Sequence, residues 1–217
     1  LTFEEPIRAT RPAMRQGTMT VGTDGTLYLV GTDLTMGLGH VFGRSLDAKN
    51  SGVWPPTFDV QGIDLGGLTQ MGSINPGGLL GQVWVTSDHS QGPAAGYIYV
   101  LGSVDPPGND PLEVMFIRSV DGGATWSAPL RVNDDSPTNG ARQWFAAMSV
   151  APNGRVDATW YDTRNDVNPG SSTALSKVYY THSLDAGRTW SLNVPVTPSF
   201  DTSLGYPQLQ AAAEGLA

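Results

Sequence analysis

One octet occurs twice in this chain. Ser119-Val-Asp-Gly-Gly-Ala-Thr-Trp126 returns as Ser183-Leu-Asp-Ala-Gly-Arg-Thr-Trp190, and both read S-x-D-x-G-x-T-W. A motif that recurs at a fixed spacing of about sixty residues says that the chain repeats one supersecondary unit, which constrains the fold before any propensity is counted. The stretch before the first box, Leu112 to Arg118, is apolar, β-favouring and free of Gly and Pro. The stretch after it, Ala128 to Val132, is a shorter strand. The box therefore joins two strands. Its Asp can accept backbone N–H groups as an Asx-turn does, Gly123 permits positive φ, and Trp126 anchors the end of the hairpin.

The second box has the same frame, entered by Lys177–His182 and left by Asn193–Thr197. A third, decayed copy runs through His40–Arg44, Ser45-Leu-Asp47 and then Trp54, with two extra residues before the Trp. A second marker repeats as well. Thr23-Asp-Gly25, Ala95-Gly96 and Ala151-Pro-Asn-Gly154 each turn into a β-rich run, and each is preceded by another strand. The unit is thus four strands, A to D, with a glycine turn between A and B and the box between C and D. That is the plan of a propeller blade. The fold class expected is all-β, with blades of four antiparallel strands at 15–62, 79–133 and 142–198. Residues 1–10 resemble the last strand of a preceding blade and 205–217 the first strand of a further one, so the ring is expected to be completed by other blades or by another chain.

Composition agrees with turns and strands. Gly 27 and Pro 16 are abundant, Lys occurs only at 49 and 177, and there is no Cys, which removes disulfide and thiol chemistry. The net charge of −8 argues against nucleic acid or an anionic membrane surface as partner. No apolar run approaches the length of a membrane span. No nucleophile elbow or phosphate-binding glycine loop is present, and His40, His89 and His182 fall in three different blades without zinc spacing.

Two full boxes and a relic, in blade frame, resemble the sialidase (neuraminidase) superfamily with its BNR or Asp-box repeats. The resemblance covers roughly residues 15–198 and implies about half of a six-bladed propeller. It implies a secreted or cell-surface protein and a glycan as partner. It also implies, where the whole family apparatus is present, a glycoside hydrolase of exo-α-sialidase type. Such an enzyme needs arginines for a sugar carboxylate, an Asp acid/base, and a Tyr nucleophile activated by a Glu. Arg15 stands where the family places its first arginine before the Asp-Gly turn, although the Ile-Pro that follows it in the family is absent here. Arg142 has a similar place in the third blade, and Asp33 in the first B–C loop matches the acid/base by position. Tyr206 has no evident Glu partner, because Glu occurs only at 4, 5, 113 and 214. The chain is therefore expected to recognise glycans without being catalytically complete by itself. Part of an active sialidase, or a structural propeller in an extracellular assembly, are the alternatives.

Propeller topology puts the A–B and C–D turns on one face and the B–C and D–A loops on the other. The box residues Ser119, Asp121, Gly123, Thr125, Trp126, Ser183, Asp185, Gly187, Thr189 and Trp190 are thus expected to be structural, and chemistry belongs on the opposite face. There, Arg164 is a further ligand-binding candidate. Asp162, Asn165 and Asp166 offer the hard oxygens that Ca²⁺ takes, without the spacing of an EF-hand; no cofactor is otherwise required.

Overall fold

The computed structural model describes residues 14–33, 39–70, 72, 74–75, 78 and 80–204. The strands expected at 1–10 and 205–217, with Tyr206, lie outside the described residues, as does the middle of the first B–C loop, 34–38.

Among the described residues twelve strands form three four-stranded antiparallel sheets, each in sequential order. Blade 1 is β1 (Met14–Val21), β2 (Leu27–Asp33), β3 (Gly39–Ser45) and β4 (Asp59–Ile63). Blade 2 is β5 (Trp84–Ser87), β6 (Ile98–Val104), β7 (Glu113–Ser119) and β8 (Leu130–Arg131). Blade 3 is β9 (Gln143–Val150), β10 (Val156–Asp162), β11 (Lys177–Ser183) and β12 (Val194–Pro195). The fold is an all-β propeller segment. The second and third strands of each blade are the most β-rich in sequence and the longest paired. The fourth strands of blades 2 and 3 have two residues each, since both start beyond a box and soon meet loops.

The register lines up all three blades. Val30 pairs with Phe42, Leu101 with Phe116 and Thr159 with Tyr180. The next like-facing rung is Tyr28 with Arg44, Tyr99 with Arg118 and Asp157 with His182. The first strands of blades 1 and 3 break register at the same place, at Gln16 (φ 54°) and Phe145 (φ 59°). A non-glycine residue in the left-handed region inside a strand is a bulge that bends the strand and re-aims its neighbours.

Apolar side chains fill the spaces between blades. Tyr28, Val30 and Phe42 of blade 1 meet Val83, Val85, Ile98, Val100 and Ile117 of blade 2. Tyr99, Leu101, Val114 and Phe116 of blade 2 meet Ala146, Met148, Val156, Ala158 and Trp160 of blade 3. The boxes close these seams. Gly123 lies against the Phe42 ring and Gly187 against the Phe116 ring, so closely that a Cβ at either glycine would overlap the aromatic. Trp126 meets Phe42 edge-on at 4.9 Å and Trp190 meets Phe116 edge-on at 5.3 Å. Arg44 donates to the Gly122 carbonyl, and Arg118 to that of Ala186. The box glycine and tryptophan thus clasp the aromatic of the preceding blade, which goes beyond the hairpin role expected of them.

Inside each box the polar atoms satisfy one another. Asp121 Oδ1 accepts from the Ser119 hydroxyl at 2.7 Å and the Thr125 N–H at 2.9 Å, and Oδ2 accepts from the Thr125 hydroxyl at 2.6 Å. Asp185 repeats this with Ser183 and Thr189. The Thr125 hydroxyl and N–H hold the Asp121 carboxyl down at about 2. Burial works the other way at Asp185, but its Thr189 and Ser183 donors still hold it at about 2.

Blade 1 corrects one expectation. Asp47 accepts from Ser45 and from the N–H and hydroxyl of Thr57, which stands ten residues on, where Thr125 and Thr189 stand four residues from their aspartates. The third box is therefore Ser45, Asp47, Thr57 and Phe58, with a loop inserted between Asp and Thr. Trp54 lies in that inserted loop and is 52% exposed, so it is not the counterpart of Trp126.

Candidate functional site

The last residue of the second strand marks the loop face in each blade, and the register equates Asp33, Val104 and Asp162 there. Two blades carry a carboxylate at that point, and their surroundings differ.

Asp162 is completely buried. Its Oδ2 accepts from Trp160 Nε1 at 2.8 Å and Arg164 Nε at 2.9 Å, and its Oδ1 accepts from the Arg164 N–H at 2.8 Å and from Gln143. Arg164 also reaches Asp134 at 2.6 Å, Asp135 at 3.4 Å and Asn193, and lies over the Tyr179 ring at 4.3 Å. Burial disfavours the guanidinium charge, yet the bonds to Asp162 and Asp134 and the nearby Asp135 raise its pKa above the usual arginine value. Arg164, expected to bind ligand, is instead saturated by protein acceptors and ties the loop after β8 to blade 3.

A second buried cluster adjoins it. Glu113 opens β7 and accepts from Arg131 and Asn133; Arg131 also bonds Asp135 at 3.0 Å and lies 3.9 Å from Asp110. Burial pushes the Glu113 carboxyl up to about 7 against the opposing bonds from Arg131 and Asn133, and the adjacent Asp110 adds to the rise. Sequence reading passed over Glu113 because it belongs to a strand. The available signal was a lone glutamate heading an otherwise apolar strand after an acidic loop. With its side chain held by Arg131 and Asn133, Glu113 ties the start of β7 to β8 and the loop after it.

The oxygens expected to hold Ca²⁺ are likewise engaged by protein donors. Asn165 Oδ1 accepts from the Tyr179 hydroxyl at 2.6 Å, and Asp166 accepts from the N–H groups of Asn168 and Leu175, which lower its pKa. Among the described residues no group of three or more His, Asp or Glu gathers as a metal site. Arg142 donates to the Ser171 carbonyl at 3.0 Å and its N–H to the Thr163 hydroxyl, so it steadies the long B–C loop of blade 3.

Asp33 is also buried, at 2% exposure, but it borders open space. Together with His40, Gln61, Asp64, Val41 and Ile63 it lines a cleft of about 380 Å³ on the loop face of blade 1. The cleft has carboxylates and an amide above apolar walls, a combination suited to a polyhydroxylated ligand. His40 is 4% exposed; its Nε2 meets the Thr69 hydroxyl at 2.9 Å, which in turn meets Thr32 at 3.0 Å. Burial lowers its pKa to about 4, only partly opposed by Asp64, so the imidazole is neutral near pH 7. Neither His40 nor Asp64 was singled out from sequence; His40 sits beside Asp33 because it starts the strand after the loop. Arg15 is exposed on β1 and pairs with Thr32, whereas Asp33 pairs with Met14. The two residues occupy successive rungs and leave the sheet on opposite faces, so Arg15 and Asp33 do not form one constellation. Tyr206 lies outside the described residues.

Comparison with known proteins gives structural likeness alone. No family model matches the chain, and no curated protein matches it. An α-L-arabinofuranosidase from Fusarium graminearum, solved with an iminosugar inhibitor, is similar with a TM-score of 0.58 at 17% identity, over 91% of this chain and 52% of that one. An α-L-arabinanase from Penicillium chrysogenum, solved with arabinobiose, gives 0.55 at 17% identity over 88% of this chain and 51% of that one. A Hadza microbial sialidase gives 0.53 at 18% identity over 85% of this chain and 38% of that one. The chain thus spans about half the length of the first two and less of the third. No described helix is long and apolar enough to cross a membrane. Three sequential four-stranded sheets, clipped together by Asp boxes and superposable on these enzymes over most of the chain, have the fold of a sialidase-like β-propeller segment.

Proposed function

We propose that this chain is a glycan-recognising propeller segment of a secreted or cell-surface protein, that its sugar-binding face is the loop face of blade 1, and that it lacks a complete catalytic set. The observation that carries this reading is the cleft at Asp33, with His40, Gln61 and Asp64 around it on the face opposite the boxes. Support also comes from the similar structures named above, an arabinofuranosidase, an arabinanase solved with arabinobiose and a sialidase. For incompleteness, Glu113 is the sole glutamate among the described residues, and its side chain is enclosed by Arg131 and Asn133. A Tyr–Glu nucleophile pair is therefore absent from the described residues.

Calorimetric titration with arabinobiose and with a sialoside tests the reading. Binding of at least one sugar is expected, and it is expected to vanish in Asp33→Asn and Asp64→Asn, with circular dichroism showing that each variant is folded. No heat with either sugar at millimolar concentration sinks the proposal and leaves a structural or protein-binding propeller. Turnover of an aryl arabinofuranoside or a fluorogenic sialoside favours the other reading, part of an active glycoside hydrolase; the names of the similar structures are what recommend that reading.

A further inference from the structure

The turn face carries a cavity of its own, at the seam between blades 2 and 3. Its volume is about 220 Å³, and its walls include Ser90 and Tyr97 of blade 2 and Asn153, Leu184, Asp185 and Arg188 of blade 3. Three departures from the blade repeat meet there. The A–B turn closes between Gly22 and Thr26 in blade 1 and between Ala151 and Arg155 in blade 3, but between Asp88 and Tyr97 in blade 2, where the loop is longer. The register puts Tyr97 where Thr26 and Arg155 stand in the other blades. The spelling of the boxes puts Arg188 where the first box has Ala124. The fold requires none of the three, since the seam between blades 1 and 2 closes with a short turn, Thr26 and Ala124.

The walls are fixed by bonds within the protein. Asp88 is completely buried; it accepts from the Ser90 N–H at 2.9 Å and the Tyr99 hydroxyl at 3.1 Å, and its own N–H donates to the Tyr97 carbonyl at 2.9 Å. Gly154, at φ 83°, brings the blade 3 turn so near that a Cβ there would stand 3.2 Å from Ser90 Oγ. A ligand would therefore meet a preorganised site.

Hydrogen-bonding capacity in these walls is one-sided. Asp185 Oδ1 accepts from the Ser183 hydroxyl and the N–H groups of Arg188 and Thr189, and its Oδ2 accepts from the Thr189 hydroxyl. Asn153 Oδ1 accepts from the Arg155 N–H. The donors are less committed. Arg188 gives only Nη1, to the Asp185 carbonyl at 3.1 Å, and the Asn153 amide nitrogen and the Ser90 and Tyr97 hydroxyls donate to no acceptor among the described residues. Such walls call for ligand oxygens that accept. They do not call for charge: an anion would face the Asp185 carboxylate, and a cation would find both oxygens of that carboxylate already held. The half-buried Tyr97 and the exposed Leu184 add an apolar flank. A neutral ring with oxygens around its edge and C–H groups on its face suits all of these.

We propose that this cavity binds one neutral sugar ring, stacked on Tyr97 and held through its oxygens by Arg188 and Asn153, as a second sugar site on the face opposite the Asp33 cleft. Blade 1 and the first box supply the substitutions that test it, because their residues already fit the repeat. Isotope-labelled protein is titrated with arabinobiose and with the methyl pyranosides of glucose, galactose and mannose, and amide shifts are followed by NMR. Saturable shifts at Gly92, Tyr97, Gly154 and Arg188 are expected with at least one of these sugars. Tyr97→Thr and Arg188→Ala are each expected to weaken that binding about tenfold. Asn153→Asp keeps the acceptor for the Arg155 N–H, as Asp24 does for Thr26, and is expected to weaken it by a smaller factor. Glucuronic acid and glucosamine are expected to bind more weakly than methyl glucoside. The dispersion of each spectrum shows that the variant is folded. The proposal is overturned if no probe gives saturable shifts at those amides, if binding is indifferent to both Tyr97→Thr and Arg188→Ala, or if either charged sugar is preferred. Asp33→Asn is expected to leave these shifts in place while removing those around the cleft, so failure here and failure of the cleft reading are seen at different amides.

Discussion

Asp33 and Asp162 occupy the same rung of the same strand in blades 1 and 3, yet their surroundings differ. Asp162 is enclosed by Trp160, Gln143 and Arg164, and through Arg164 it ties in Asp134, Asp135 and Asn193. Asp33 lines a cleft wide enough for a ligand. In blade 3 the enclosure comes from the loops around the strand end. An arginine two residues after Asp162 folds back on it, and the preceding loop from blade 2 supplies two more acids. No such arginine stands two residues after Asp33. One scaffold position is therefore enclosed by an ion-pair network in blade 3 and borders a cleft in blade 1. Topological equivalence by itself predicts neither.

Several substitutions would break or sharpen this contrast. The largest effect is expected at Arg164→Ala, which strips the buried Asp162 of its counter-ion and should cost about 3–5 kcal/mol in urea-induced unfolding. Arg164→Lys is expected to recover only part of it, because a point charge cannot serve Asp162, Asp134 and Asn193 at once. Trp160→Phe removes one donor to Asp162 while keeping most of the apolar volume, and a loss of about 1–3 kcal/mol is expected. If Asp33→Asn cost as much as Arg164→Ala, the proposed difference between the two aspartates would be wrong.

Titration offers a finer contrast, because the two regions respond to pH with opposite signs. Glu113, buried within blade 2, is raised from 4.5 to about 7 in the folded chain. The native state then holds a proton that the unfolded state has released, so this contribution is present below 4.5 and fades as pH rises towards about 7. His40, beside the cleft, is lowered from 6.5 to about 4. Here the unfolded state takes up a proton first, so stability is retained above 6.5 and lost as pH falls towards about 4. Unfolding measured across pH 4 to 8 should show Glu113→Gln removing the decline towards neutral pH and His40→Gln removing the decline towards acid. Asp33→Asn, a change of charge without change of shape at a buried carboxylate, is expected to cost about 1–3 kcal/mol, less than Arg164→Ala, with the sugar titration as its sensitive readout.

Much of the fold was legible because it is written locally. The two intact boxes set the phase of strands C and D, and the glycine turns at Gly25, Gly96 and Gly154 set A and B. What was not legible depends on contacts between blades. Nothing in the spelling of the box says that Gly187 and Trp190 will seat the ring of Phe116, because Phe116 belongs to the previous repeat. The cluster around Arg164 gathers residues 134, 135, 162 and 193, and a lone arginine beside acids reads as a ligand site until its acceptors are counted in space. Asp33 could be named from position, but its cleft companions Gln61 and Asp64 come from the end of β4 and were out of reach of a local reading. Thr57 shows the same limit within a single hairpin: its bond to Asp47 defines the box, whereas the more conspicuous Trp54 does not belong to it.

That bond from Thr57 back to Asp47 has a practical side. The two shorter hairpins close their box across four residues, and this one closes the same set of bonds across ten. The box behaves as a clasp, indifferent to the length of cord it gathers. Residues 50–56 between its jaws, with Trp54 largely in solvent, are thus a natural place to graft a foreign peptide or a fluorescent label. The graft would sit on the turn face, across the molecule from the Asp33 cleft, where it can report on the protein without touching the site it is meant to study.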